Sequence, residues 1–222
     1  LERSQDEFTR ARAKAAAGSD ARMGGCLMPV VINSGSGNQG LTVSLPVVEL
    51  ARAWDCGEER MLRALLISNL TALHIKKHIG KLSAYCGASS AAAAVSAATT
   101  WLAGGSREQC AAALINTLAA VSGMICDGAK ASCASKIAAA LDAGFLAHEL
   151  AMSGRRCQGG EGIAGTDAEN SIDKVGELAA RGMSGTDRVI LGTAAVEDFG
   201  MVERLVARWG ARIAVGVDAR DG

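Results

Sequence analysis

Seven cysteines stand at positions 26, 56, 86, 110, 126, 133 and 157, and three of them have a spacing that could do chemistry. Cys126 and Cys133 bracket the run Asp127-Gly128-Ala129-Lys130-Ala131-Ser132, and Cys86 lies 40 residues upstream of Cys126. No Cys-x-x-Cys pair occurs, which argues against a zinc ribbon. The intervening chain reads as a helical hairpin whose arms, 81–103 and 106–124, are alike in length, so it returns Cys86 to the neighbourhood of Cys126. Gly123 and Gly128 would break the helix there and let thiolates gather at a helix end. Three thiolates around a [4Fe–4S] cube leave one iron without a protein ligand, and such an iron is a Lewis acid for a substrate heteroatom. The same residues also read as small side chains buried in an alanine-rich core, a common fate of free cysteine. Spacing alone leaves both readings open.

A second segment, Asn33-Ser34-Gly35-Ser36-Gly37-Asn38-Gln39-Gly40, is rich in residues that tolerate positive φ. Successive backbone N–H groups in such a loop form a nest for an anion, and an amino-acid carboxylate would fit it, with Asn38 and Gln39 as further donors. A plain flexible loop is the alternative. Arg22 could pair with that carboxylate or simply with Asp20. His74 and His78 share a helical face four residues apart, a spacing that can bind metal, but no third ligand is evident in the sequence, so they read as surface or core residues. His148 stands alone.

These groups must be positioned by helices. The 222-residue chain is long enough for one large domain or two small ones, and aromatic residues are only 3% of it. With 27 glycines and much alanine, the core must be built from small side chains that let helices approach closely. Helical patterning covers 5–17, 46–56, 58–79, 81–103, 106–124, 126–152 and 167–183, with 20–45 read as loop. Pro46 suits a helix start. Ser106 with Gln109 suits a capping box. Near residue 187 the period changes. Val189-Ile190-Leu191 is a short β-branched run and Arg212-Ile213-Ala214-Val215-Gly216-Val217 a second strand, and they flank a helical 196–209, which makes one β-α-β unit. The expected fold class is therefore mainly α, with a short β-α-β tail.

Lys plus Arg balances Asp plus Glu at 23 each, so no basic footprint for nucleic acid is present. The uncharged stretch after Lys81 is long enough to span a membrane. Its Ser, Ala, Thr and Gly content instead indicates a buried hairpin, so no membrane partner is expected. The cysteines do not resemble the disulfide framework of a short secreted domain, which points to a reducing, cytoplasmic setting.

Several segments resemble signature stretches of the L-cysteine desulfidase family and the related iron–sulfur L-serine dehydratase α chains. They are Ser19-Asp20-Ala21-Arg22-Met23-Gly24-Gly25, the Asn33–Gly40 loop, Leu82-Ser83-Ala84-Tyr85-Cys86-Gly87, Met124-Ile125-Cys126-Asp127-Gly128-Ala129-Lys130 and Glu161-Gly162-Ile163. The resemblance implies an all-helical serine dehydratase α-chain-like domain over 1–186. It implies a [4Fe–4S] cofactor on Cys86, Cys126 and Cys133, although the last spacing is shorter than in the serine enzymes. Arg22, Ser34, Ser36, Asn38, Gln39 and Gly40 would bind a small amino-acid substrate. The implied reaction is a lyase β-elimination from L-cysteine or L-serine: the α-proton and the thiolate or hydroxide leave, and the aminoacrylate hydrolyses to pyruvate and ammonia. No residue stands out as the base. The family's N-terminal part, with a Cys-Thr-Glu-Pro segment, has no counterpart here. The expectation is a truncated domain that needs a missing half or a partner chain, whose copies could also assemble as a homo-oligomer. Without that half it would be a non-catalytic or partner-dependent subunit.

Residues 187–222 resemble one unit of the (β/α)₈ barrel of the histidine-biosynthesis ribotide isomerase. There Gly192 and Thr193 would meet substrate phosphate, and Asp218 would match a catalytic aspartate. Barrel chemistry sits at strand C-termini, but a single unit cannot close a barrel.

Overall fold

The computed structural model describes residues 6–80, 83–184, 189–191, 199–210 and 213–215. The chain divides into two compact units, Leu1–Ala180 and Arg181–Gly222.

The first unit is helical. It contains α1 (Glu7–Met23), α2 (Gly37–Ala53), α3 (Glu58–Ile79), α4 (Gly87–Leu102), α5 (Arg107–Val121), α6 (Cys133–Met152) and most of α7 (Ala168–Ser184). At its centre α4 packs against α2, α3, α5 and α6, while α1 packs on α2 and α6. Almost all of α4 is buried alanine, serine or threonine. Short side chains let neighbouring backbones come close: a methyl group on Gly144 of α6 would lie 3.1 Å from the Ala92 carbonyl oxygen. The larger core residues come from the surrounding helices, among them Leu50, Ile75, Ile115, Leu118, Ile137 and Leu141. No helix of the described residues is long and apolar enough to cross a membrane.

Local signals set the boundaries. Asp6 caps α1 by accepting from the Thr9 amide at 2.9 Å. The acidic residues Glu58 and Glu59 open α3, and Lys76, Lys77 and His78 close it, the charge order the helix dipole favours. Ser106 and Gln109 form the expected capping box on α5, through bonds of 3.2 and 2.9 Å.

Several helix boundaries differ from the sequence reading. Helix α1 does not end at Gly18 but runs on to Met23. That glycine serves packing, because a methyl group there would lie 3.2 Å from Leu45 Cδ1 of α2. Helix α2 begins at Gly37, capped by Ser36, so part of the expected loop is helical and Pro46 lies inside the helix. An interior proline removes one backbone bond and costs about 3 kcal/mol or more. Beside it, the buried Ser68 hydroxyl of α3 donates to the Val43 carbonyl at 2.8 Å. Helices α4 and α6 start later than expected, at Gly87 and Cys133, because the chain before each is extended or looped.

The second unit holds β1 (Val189–Leu191), α8 (Phe199–Trp209) and β2 (Ile213–Val215). The strands pair in parallel, Val189 with Ile213, Ile190 with Ala214 and Leu191 with Val215. A parallel pair needs a crossover, and the chain segment carrying α8 supplies it. Gly192, Thr193 and Asp218 lie outside the described residues.

Candidate metal centre and substrate loop

The expected return of Cys86 to Cys126 takes the form of a short antiparallel pairing. Tyr85 bridges to Ile125. The Cys86 amide donates to the Met124 carbonyl at 3.0 Å, and the Cys126 amide donates to the Ala84 carbonyl at 2.7 Å. Cys86 is the N-cap of α4 and is buried; Cys133 is the first residue of α6 and half-buried; Cys126 is exposed. Two helix N-termini thus carry cysteines of this group. Cys133 Sγ accepts from the Lys130 amide at 3.5 Å and donates to the Gly128 carbonyl at 3.7 Å, so the loop curls around its sulfur. Gly128, at φ +102°, takes the conformation that this curl requires.

Charge organises the loop further. Asp127 is pulled down to about 2 by its bond to Lys136 and then by Lys130, 3.1 Å away. Lys136 Nζ also donates to the Ile125 carbonyl at 3.0 Å. Burial pushes the Cys86 thiol above its usual range; the nearby Cys126 and Cys133 thiols add to that, and Lys136 opposes it. Lys76 of α3 is buried. Burial lowers its affinity for a proton, while Cys126 and Cys86 act to restore it. Cys86 and Cys126 are therefore within electrostatic reach of both lysines, and Cys133 within reach of Cys86. The sulfurs do not form the tight group that one tetrahedral ion demands, with ligand atoms all within 4.8 Å of each other.

The Asn33–Gly40 segment is built as a turn feeding a helix. Asn33 and Ser36 exchange backbone bonds of 3.2 and 3.0 Å. Ser34 and Gly35, at φ +53° and +78°, make the tight reversal between them. The Ser34 hydroxyl donates to Asn33 Oδ1 at 3.0 Å, and Ser36 Oγ accepts from the Gln39 amide at 3.3 Å, so both serines serve the turn and the cap. Asn33 is anchored by its amide, which donates to the Asn69 carbonyl at 3.2 Å. Arg22 reaches Asn38, not Asp20, with Nη1 donating to Oδ1 at 3.2 Å. Gly40 meets the Val31 carbonyl so closely that a methyl group would fall 1.6 Å from its oxygen.

The loop and the cysteines meet at Gln39. Its side chain is buried against Gly87, the residue after Cys86, and its Oε1 has no hydrogen-bond partner among the described residues. A buried unpaired acceptor in a native structure calls for an explanation. Thus Arg22, Asn38, Gln39 and Gly40 share one end of α2, and that end abuts the start of α4. Cys26 is exposed and Cys56, Cys110 and Cys157 are half-buried; none of these four is drawn into the group.

Sequence reasoning missed Lys76 and Lys136. The signal for Lys76 was present: it falls in the stripe Ala64, Ser68, Ala72, Ile75, Ile79 that α3 buries.

The profile of the serine dehydratase alpha chain matches residues 2–192. The chain belongs to the serine dehydratase alpha chain family. Among relatives, it is 54% identical over 189 residues to a UPF0597 protein of Treponema denticola, covering 84% of this chain and 44% of that one. Over 186 residues it is 56% identical to a UPF0597 protein of Lachnoclostridium phytofermentans, covering 84% and 45%. The chain spans less than half the length of these curated relatives. A second profile, histidine biosynthesis protein, matches residues 170–222. No solved structure matches.

Proposed function

We propose that this serine dehydratase alpha chain domain is the cluster-binding and substrate-binding part of a [4Fe–4S]-dependent lyase that eliminates sulfide from L-cysteine or water from L-serine. The observation that carries the reading is the junction of Gln39 with Gly87, where the start of α2 meets the residue after Cys86.

The donor set suits such a group. Cys86, Cys126 and Cys133 offer soft thiolate ligands, and Lys76 and Lys136 bring positive charge close to Cys86 and Cys126. When bound, such a cluster supplies an iron free to polarise the leaving sulfur or oxygen. The protein's own groups bind and orient. At the start of α2 the Gln39 and Gly40 amides are taken by Ser36, which leaves the Gly37 and Asn38 amides, with Arg22, to receive the substrate carboxylate. The unpartnered Oε1 of Gln39 accepts from its ammonium. Burial of Gln39 and Cys86 excludes water from the junction.

Anaerobic reconstitution with iron and sulfide tests the reading. About four irons per chain are expected, lost in Cys86→Ala and Cys126→Ala, with sulfide and pyruvate release then assayed. Iron retained in both variants would overturn it.

A second reading, that catalysis needs a further half or partner chain, is favoured by apolar exposure. Leu62, Leu66, Leu70 and Leu73 line one side of α3 at 45–60% exposure, and Leu27, Met28, Val31 and Ile32 are also open. Contiguous exposed apolar faces mark interaction sites.

A further inference from the structure

The last two turns of α3 and the first two of α7 bring two histidines and two carboxylates together. His74 Nε2 lies 2.7 Å from Glu169 Oε2, and His78 Nδ1 lies 2.9 Å from Asp173 Oδ1. The two pairs repeat at a spacing of four residues on both helices, so each turn of α3 faces a turn of α7. The imidazole rings are 4.9 Å apart with planes at 74°. One ligand atom each from His74, His78 and Glu169 falls within 4.8 Å of the others.

The helices are held in this register by a close approach at the same level. Gly176 of α7 packs on the His78 carbonyl, where a methyl group would lie 2.9 Å from the oxygen. The donors therefore face each other across a fixed seam.

The geometry points to a divalent transition-metal site, Zn²⁺-like, ligated by His74, His78 and Glu169. A tetrahedral ion with bonds of about 2.0–2.2 Å holds its ligand atoms roughly 3.3–3.5 Å apart. The 2.7 Å pair must open slightly and the wider separations close, which side-chain rotations achieve on partly exposed residues. Imidazole with carboxylate suits zinc, nickel, cobalt or copper and not the iron–sulfur chemistry of thiolates. Glu169 and Asp173 together neutralise a doubly charged ion. Asp173 is the outer partner of His78, the carboxylate that a ligating histidine keeps on its second nitrogen. Such an ion would clamp α7 to the turn of α3 that also carries the buried Lys76.

The test uses Co²⁺ added to the full chain, followed by visible absorption and thermal melting. One equivalent should bind, with d–d bands and no thiolate-to-cobalt charge-transfer band, and should raise the melting temperature. His74→Ala and His78→Ala should weaken binding at least 100-fold, and Asp173→Asn about 10–100-fold. Should an alanine variant fail to fold, Glu169→Gln alters only an exposed carboxylate and should by itself weaken binding at least tenfold. Cobalt that carries the thiolate band and stays in these variants belongs to the cysteines and would overturn the assignment. So would the absence of binding below millimolar Co²⁺.

Discussion

The amide of Gln39 occupies the space that a side chain on Gly87 would need: a methyl group there would lie 2.5 Å from Nε2 and 2.6 Å from Cδ. The contact runs along the end of the side chain, from Nε2 through Cδ to Cγ at 3.0 Å, and Gln39 is itself buried. Gly87→Ala should lower stability by about 1–3 kcal/mol through overpacking, read from the urea midpoint. Adding Gln39→Ala should recover most of that loss. If the single variant were as stable as the parent, the junction would not be close-packed.

Gly40 and Gly123 make a contrast. At Gly40 the obstacle is the Val31 backbone, 1.6 Å from the added methyl group, and nothing there can rotate aside. Gly40→Ala should cost at least ~3 kcal/mol, whereas Gly123→Ala, with open space around it, should stay within about 0.5 kcal/mol. Thermal melts of the two variants side by side check this, and equal losses would contradict the packing described at the start of α2.

His148 gives the first unit a pH dependence. It is buried beneath Phe8, their rings 5.9 Å apart, and its Nδ1 is 2.9 Å from Thr100 Oγ1. The Thr100 hydroxyl donates its one proton to the Ser96 carbonyl at 2.8 Å, so Nδ1 is the protonated nitrogen of a neutral ring. Burial lowers the affinity of this ring for a second proton. The unfolded chain takes up that proton near pH 6.5 and the folded chain only at lower pH, so between those values stability rises with pH. The contribution is complete above about pH 6.5 and is lost as pH falls. Melting temperature should therefore drop between pH 7.5 and 5.5, and His148→Gln should flatten that slope.

The open side of α3 should matter for association and not for folding. Leu66 and Leu70 are each 60% exposed. Leu66→Lys with Leu70→Lys should leave the melting temperature within the change expected of surface substitutions, about 0.5 kcal/mol each. Light scattering should show less self-association than in the parent. A large loss of stability would mean that this side is packed in solution.

How far the sequence carried these conclusions differs from residue to residue. The nearness of Cys86 and Cys126 followed from two helices of similar length, and backbone pairing of 84–86 with 124–126 realises it. The capping box at Ser106 was legible because both partners lie within one turn. Gly18 and Pro46 misled because each has two structural uses, and only the neighbouring helix decides between them. The third ligand beside His74 and His78 was invisible, since Glu169 is 95 residues from His74 and meets it through the packing of α7. Lys76 was readable in principle, as a charged residue inside an apolar stripe.

Helix α4 also has a thermodynamic character of its own. Alanine loses no rotamer freedom on burial, and serine and threonine lose little compared with long side chains. The centre of the first unit is therefore ordered at small side-chain entropy cost, and it has few rotamers through which to fluctuate. Its sensitivity to mutation should also be lopsided. Truncating Ala92 or Ala93 removes a single methyl group, while enlarging either must push apart whole helices, since both are fully buried. Cys86 stands at the head of this helix, so the cysteine group is mounted on the part of the unit with the fewest side-chain rotamers.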